Sequence, residues 1–116
     1  MDIKNLLLGV ASFAAAHFFT FFQLNGQFIW KSFQKHEWAV ASVGIMLSFF
    51  YIWGTKYTVA AFNGLLWPSR FIGFGIGMVI YAFGVNYLFK EGINLKTLIS
   101  LILCLILICI QVFWKE

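Results

Sequence analysis

Long apolar stretches, separated by short groups of polar residues, dominate this chain. Four such stretches occur, at about residues 5–30, 38–54, 71–89 and 97–114. Each is a continuous apolar run, without the alternation of apolar and polar positions that barrel strands require. A helix needs about 20 apolar residues to cross a bilayer. The pattern therefore predicts an all-α integral membrane protein with four transmembrane helices in a single domain, 1–116.

The predicted connections are short. Residues 31–37 join the first pair of helices and residues 90–96 join the last pair. The secondary structure of residues 55–70 is the least defined by the pattern, and an extension of the second helix toward Phe62 stays open. Pro68 is expected in the first turn of the third helix, where its missing N–H removes no hydrogen bond.

Composition agrees with a membrane protein. Hydrophobic residues make up 62% of the chain and charged residues 10%, whereas a soluble domain carries about a quarter charged residues. Tryptophan is enriched where a membrane helix meets the lipid headgroups. All five tryptophans fall near predicted helix ends: Trp30, Trp38, Trp53, Trp67 and Trp114.

The first helix has some features of a secretory signal peptide. Lys4 precedes the apolar run, and Ala14–Ala16 resembles a cleavage site. The apolar run nevertheless continues past Ala16 as far as Phe28. We therefore expect this segment to stay in place as a transmembrane helix.

Basic residues are divided equally between the two sides of the predicted helices. Four helices place Lys4, Lys56, Arg70 and Lys115 on one side and Lys31, Lys35, Lys90 and Lys96 on the other. Orientation normally follows an excess of Lys and Arg in cytoplasmic loops, so the tie predicts no orientation. Either the N-terminus or a partner decides it, or copies insert both ways and pair as antiparallel dimers. The net charge of +4 suits anionic lipid headgroups, and no basic cluster indicates a nucleic-acid partner.

Polar side chains within the helices are the candidates for a substrate path. His17 is the only ionisable side chain deep in a predicted span, where such groups are costly and often functional. Thr20, Gln23 and Gln27 share an arc of roughly 120° on the same helix, with His17 at its edge. This face either lines a path or hydrogen-bonds to other helices.

Three residues on or near the third helix complete this set. Asn86 is a lone polar residue that is expected to bond to a neighbouring helix or to contribute to the path. Arg70 either extends to the headgroups or faces inward and contacts an anion. The candidate path residues are His17, Thr20, Gln23, Gln27, Trp67, Arg70 and Asn86.

Small residues line one face of the third helix. Gly73 and Gly77 form a small-xxx-small pair, and Gly84 falls on the same face two turns later. This face allows another helix to approach closely, and that helix can belong to the same chain or to a second copy. With Gly75 these residues could suggest a nucleotide-binding loop, but no strand precedes them.

No catalytic, metal-binding or cofactor-binding pattern is present, so the chain is not expected to be an enzyme. Cys104 and Cys109 are five residues apart, which separates them by about 140° around a helix. Neither His17 nor His36 has a Cys or acidic partner at metal-ligand spacing.

Several short stretches resemble half-size members of the drug/metabolite transporter superfamily. They are Ser42-Val43-Gly44-Ile45 with Phe49-Phe50-Tyr51, and Tyr87-Leu88-Phe89-Lys90-Glu91 before Leu95. Arg70, 21 positions before Glu91, matches the pattern of an uncharacterised bacterial family of small four-helix proteins in that superfamily. The resemblance covers roughly residues 18–114.

This resemblance implies one repeat of a transporter fold in the bacterial inner (plasma) membrane. The more distantly similar small multidrug resistance proteins act as antiparallel dimers and exchange cations for protons through a buried glutamate in helix one. This chain departs from that pattern, because its acids are Asp2, Glu37, Glu91 and Glu116, all predicted near water. The uncharacterised four-helix family also tends to have acidic residues in helices two and three. Phe49 and Phe74 occupy those positions in this chain.

Two functions are therefore compatible with this sequence. The first is a dimeric transporter of a small molecule that lacks the helix-one carboxylate of proton-coupled cation exporters. The second is an accessory or structural subunit of a larger membrane complex, which would not transport. The bilayer is a partner in either case, together with a second copy or with other membrane subunits.

Overall fold

Four long helices account for most of the chain in a computed structural model that describes residues 2–114. The elements are α1 (Ile3–Asn25), a 3₁₀ turn (Gly26–Phe28), α2 (Lys31–Lys35), α3 (Glu37–Ser42), α4 (Gly44–Ala61), α5 (Leu66–Leu88) and α6 (Leu95–Phe113). No strand occurs within this described part. The prediction of an all-α chain is confirmed for these residues. Four segments are long and apolar enough to cross a membrane, as the prediction of a membrane protein requires: Ile3–Phe28, Glu37–Ala61, Leu66–Leu88 and Leu95–Phe113.

Side chains at the helix starts explain why α1 and α6 begin where they do. Asp2 precedes α1, and its carboxylate accepts from the backbone N–H groups of Lys4 and Asn5 at 3.1 and 3.3 Å. Asn94 precedes α6, and its side-chain oxygen accepts from the Thr97 N–H at 2.9 Å. Asp and Asn are favoured there because the first N–H groups of a helix lack partners within it.

The second transmembrane helix takes the longer of its two predicted courses, and the third begins earlier than predicted. α4 continues past residue 54 to Ala61, the extension toward Phe62 that the sequence left open, and α5 begins at Leu66 instead of residue 71. Lys56 and Arg70 interrupt the apolar pattern, yet both are helical, since a long side chain can reach the headgroups from within a helix. As a consequence, Trp53 lies inside α4 and not at a helix end.

The tight turn between α4 and α5 reverses the chain in four residues. Its residues Asn63 and Gly64 adopt φ angles of 56° and 88°, in the left-handed region that Asn and Gly tolerate best. Pro68 is the third residue of α5, within its first turn as expected. The backbone N–H of Asp2 donates to the Ala61 carbonyl oxygen at 3.1 Å. The start of α1, the end of α4 and the start of α5 therefore meet at one end of the bundle.

The tightest packing joins α1 to α4 and α5. Phe13 from α1 forms the core with Ala61, Phe62 and Ile72. A Cβ atom built on Gly54 would lie 2.7 Å from the Phe13 ring, so only glycine allows α4 to approach so closely. α1 thus packs against both α4 and α5, and its buried residues extend from Gly9 to Phe21.

α6 packs on the side of α5 that carries Gly75, and its residues Ile108 and Val112 contact the edge of the core cluster. The side chain of Ile108 fits against Gly75, at a position where a Cβ atom would overlap it. None of the 19 residues of α6 is buried in the chain. α6 therefore presents most of its apolar surface outward.

A half-open cavity between three helices

A cavity of about 670 Å³ lies between α1, α4 and α5. Its lining on α5 extends from Leu66 to Tyr81, which corresponds to about 22 Å at 1.5 Å per residue. This length covers most of the hydrocarbon core of a bilayer, about 30 Å thick. The cavity is therefore a long groove along the helices, and its position is set by the close packing of α1 described above.

Three side chains form a polar group inside this cavity. Thr20 Oγ1 on α1 lies 2.8 Å from Tyr51 Oη on α4, a hydrogen bond in which either hydroxyl can donate. Tyr51 Oη also lies 3.5 Å from His17 Nδ1, and the two rings pack edge to face with centroids 5.2 Å apart. His17 is near the middle of α1, so hydrogen-bonding groups face the cavity at the depth of the membrane interior.

The glycine face of α5 lies against α1 of the same chain. A Cβ atom on Gly77 would lie 2.6 Å from His17 Cε1, and one on Gly84 would lie 2.6 Å from the Phe21 ring. The third glycine, Gly73, lies against Phe13. The sequence did not show which helix packs on this glycine face. The structure shows that it is α1 of the same chain, so the face is not free for a second copy. The imidazole is held directly against the α5 backbone.

A buried hydrogen bond between α4 and α5 positions the other end of the cavity. Thr58 Oγ1 and Ser69 Oγ lie 2.6 Å apart in a hydrogen bond between two hydroxyls, and both residues are buried. Ser69 immediately precedes Arg70, which is exposed and lines the cavity. This bond therefore joins the start of α5 to α4, next to Arg70.

Arg70 is the only residue with a permanent charge that lines the cavity within the described chain. The described acids, Asp2, Glu37 and Glu91, lie outside the cavity lining. Most of the remaining wall is apolar and aromatic, with Phe13, Phe21, Leu24, Leu66, Phe74 and Met78. The cavity thus combines an apolar body, hydrogen-bonding groups in the middle and one cation near an end.

Only three of the seven path residues predicted from the sequence line this cavity: His17, Thr20 and Arg70. Gln23 points to the other side of α1, where its amide donates to the Val40 carbonyl oxygen at 3.2 Å. Gln27 is exposed and donates to the Leu24 carbonyl oxygen at 2.8 Å. Trp67 and Asn86 are exposed on α5 outside the cavity. The shared arc on α1 is therefore divided between two sides of the helix.

Several lining residues were not predicted from the sequence. They are Asn25, Tyr51, Thr55, Ser69 and Tyr81. Tyr51 and Thr55 are four residues apart and therefore lie on one face of α4. This spacing of two hydroxyl groups could have predicted a polar face on α4. It was not used because Tyr51 stands among aromatic residues in an apolar segment.

No family model, curated protein or solved structure matches the chain. Three features of the cavity bear on function: its size, the polar group at its centre and the guanidinium near its end.

Proposed function

We propose that this chain is a small membrane transporter that moves a small molecule through the cavity between α1, α4 and α5. The observation that carries the proposal is a cavity of about 670 Å³ with His17, Thr20 and Tyr51 at membrane depth. Ligand sites typically have volumes of about 300–1,000 Å³. Polar and ionisable groups inside membrane helices are costly and commonly mark the pathway of a solute.

A single copy supplies only half of a transport pathway in this proposal. The cavity has walls on three helices and is half open, and transporters generally bind substrates between two repeats. A second copy would supply the missing wall. The equal division of basic residues allows the two copies to insert in opposite directions. The resemblance to half-size drug/metabolite transporters favours the same arrangement, in a bacterial plasma membrane.

Energy coupling in this proposal differs from cation exchange through a buried carboxylate. No acidic residue of the described chain lines the cavity. Within the described residues, His17 is the only histidine near the middle of a membrane-spanning helix, and histidine is the side chain that ordinarily binds and releases a proton near neutral pH. A neutral imidazole costs far less in the membrane than a charged one, so a role in substrate hydrogen bonding is compatible with this depth.

The test is solute flux into vesicles that contain the purified protein. We suggest benzenesulfonate and benzyltrimethylammonium, which share one ring and carry permanent, opposite charges. Flux of either solute above that of protein-free vesicles supports transport. The variant Thr55→Trp should block flux because Thr55 lines the cavity, whereas Ser100→Trp on the exposed surface of α6 should not. Equal flux for the two variants would contradict a path through this cavity.

The paired arrangement is tested separately in cells. One reporter active only in the cytoplasm and one active only outside are fused in turn to the C-terminus. Signal from both fusions supports insertion in two directions and an antiparallel dimer. Signal from one fusion alone would exclude the antiparallel homodimer.

An accessory subunit of a larger complex is the second candidate, and α6 favours it. None of its 19 residues is fully buried by the rest of the chain, which leaves most of its apolar surface available to another membrane protein. Chemical cross-linking in native membranes distinguishes the two candidates. Cross-links between copies of this chain favour the transporter, and cross-links to unrelated subunits favour the accessory role.

A further inference from the structure

We propose that the cavity between α1, α4 and α5 accepts an organic anion with an apolar body, whose charged group is bound by Arg70. This inference rests on the proposed function, because it names the substrate class for the same cavity. The anion would lie with its charge toward the end of the cavity at which α5 begins. Its body would point toward the Thr20–Tyr51 pair.

The charge of the cavity wall favours an anion. Arg70 lines the cavity, and no carboxylate within the described part of the chain does so. No described side chain neutralises the guanidinium across the cavity, so a bound cation would meet repulsion without compensation. A guanidinium also presents a planar set of donors that matches carboxylate, sulfonate and phosphate groups. An anionic partner also lowers the free energy that is needed to place a charged guanidinium within the membrane.

The dimensions of the cavity suggest a molecule with about one ring between two polar ends. Arg70 precedes Gly77 by seven residues on α5, which corresponds to about 10 Å along the helix. Gly77 contacts the imidazole of His17, so it marks the depth of the polar group. Between these levels the wall includes Phe13 and Phe74. An anionic group at Arg70 thus leaves space for an apolar or aromatic body that ends at the hydroxyl groups.

The same anionic chemistry occurs in free organic acids and in lipid headgroups. Arg70 is only the fifth residue of α5, so a lipid phosphate of the surrounding bilayer is the second source of such an anion. The apolar wall would then contact part of a lipid chain. The two sources have to be separated by experiment, with the lipid composition as the variable.

The experiment is equilibrium binding to the full chain in phosphatidylcholine nanodiscs. The probes are again benzenesulfonate and benzyltrimethylammonium, which differ in the sign of their charge. We expect the sulfonate to bind more tightly, and Arg70→Gln to weaken its binding about tenfold or more, since a charge-assisted bidentate contact is lost. Arg70→Lys should retain part of the affinity.

The matched control is Lys56→Gln. Lys56 lies on α4 toward the same end of the bundle and is exposed, but it does not line the cavity. It should leave sulfonate binding unchanged. A preference for the cation, or equal losses in Arg70→Gln and Lys56→Gln, would overturn the proposal. An unchanged thermal unfolding midpoint in Arg70→Gln excludes misfolding as the cause of a loss.

Added phosphatidylglycerol distinguishes the two sources. If this lipid lowers the affinity for the sulfonate in the wild type but not in Arg70→Gln, the anion site is occupied by a headgroup. An unchanged affinity assigns the site to a free acid. Sulfonate binding without flux would reject transport and keep the anion site, whereas flux that prefers the cation would keep transport and reject the anion.

Discussion

The two sides of α5 are packed very differently. On one side, Gly73 and Gly77 bring its backbone against Phe13 and His17 of α1. On the other side, α6 makes a single close contact with a glycine of α5, between Ile108 and Gly75. Residues of α1, α4 and α5 are buried, whereas none of α6 is. The chain thus consists of a closely packed three-helix unit and a peripheral fourth helix.

This difference shows what holds helices together in a bilayer. Lipid tails are as apolar as leucine, so burial of apolar side chains gives little net drive for association there. Close backbone approach and hydrogen bonds between helices remain. The three-helix unit has both, in its glycines and in the Thr58–Ser69 and Thr20–Tyr51 bonds. α6 is the most apolar helix and has the fewest such contacts, so its position depends most on lipid or on a partner.

The largest loss of stability is expected for a substitution where α4 contacts α1. Gly54→Leu would place a side chain in the space of the Phe13 ring, whose nearest atom is 2.7 Å from a Cβ at this position. We expect a loss of about 3 kcal/mol in the free energy of unfolding, as in overpacked cores. Titration with dodecyl sulfate, followed by circular dichroism, measures it. Cys109→Leu on the exposed surface of α6 is the control and should change little; equal losses would contradict the comparison.

A smaller effect is expected where α6 meets α5. Gly75→Leu would displace Ile108 and should cost about 2 kcal/mol. Because the cavity lies on the other side of α5, binding at Arg70 should persist. Displacement of α6 should also speed thiol labelling of half-buried Cys104 in detergent, in a Cys109→Ser background. Gly92→Leu is the control, since a Cβ there meets nothing within 4 Å. Lost binding with unchanged labelling would contradict this prediction.

The number of membrane helices could be predicted because apolar composition is a local property of each segment. Two of their ends were less well defined, because the pattern left the end of the second helix open at Lys56 and placed the start of the third just after Arg70. Lys56 and Arg70 read as interruptions of the apolar pattern, although both belong to helices. The fate of a long charged side chain depends on the distance to the headgroups, which requires the tertiary arrangement.

The site was partly predictable for a similar reason. His17 and Thr20 stand out as polar residues in an apolar helix, and both line the cavity. Gln23 shares their arc, but α3 lies close enough to accept its hydrogen bond at Val40. An arc on a single helix cannot show which neighbour lies against which part of it. Tyr51 was missed because an aromatic ring in an apolar segment suggests packing, whereas its hydroxyl carries the polar contact.

A loss of stability smaller than those at Gly54 and Gly75 is expected when the buried hydrogen bond between α4 and α5 is removed. Ser69→Ala removes the hydroxyl that hydrogen-bonds to the Thr58 hydroxyl at 2.6 Å, and should cost about 1 kcal/mol. Ser100→Ala is the control, because its exposed hydroxyl bonds only to the Lys96 carbonyl oxygen of its own helix. In a double-mutant cycle, Thr58→Val should remove the effect of Ser69→Ala. Fully additive losses would show that the two hydroxyls do not interact.

The smallest effect is expected at the centre of the cavity. Tyr51→Phe keeps the ring that packs edge to face on His17 and removes only the hydroxyl. The lost bonds are those to Thr20 at 2.8 Å and to His17 at 3.5 Å, and hydrogen bonds between membrane helices average about 0.6 kcal/mol. Unfolding in dodecyl sulfate should therefore shift by about this amount. Tyr87→Phe, exposed on α5 outside the cavity, is the matched control and should give no shift.

The two bonds of Tyr51 can be separated by a second substitution. The shorter one, to Thr20, should carry most of the effect, because hydrogen bonds weaken steeply as they lengthen and misalign. Tyr51→Phe in a Thr20→Val background should then change the stability very little. An undiminished loss in that background would instead assign the interaction to His17. It would make the imidazole, and not the threonine, the group that joins α4 to α1 across the cavity.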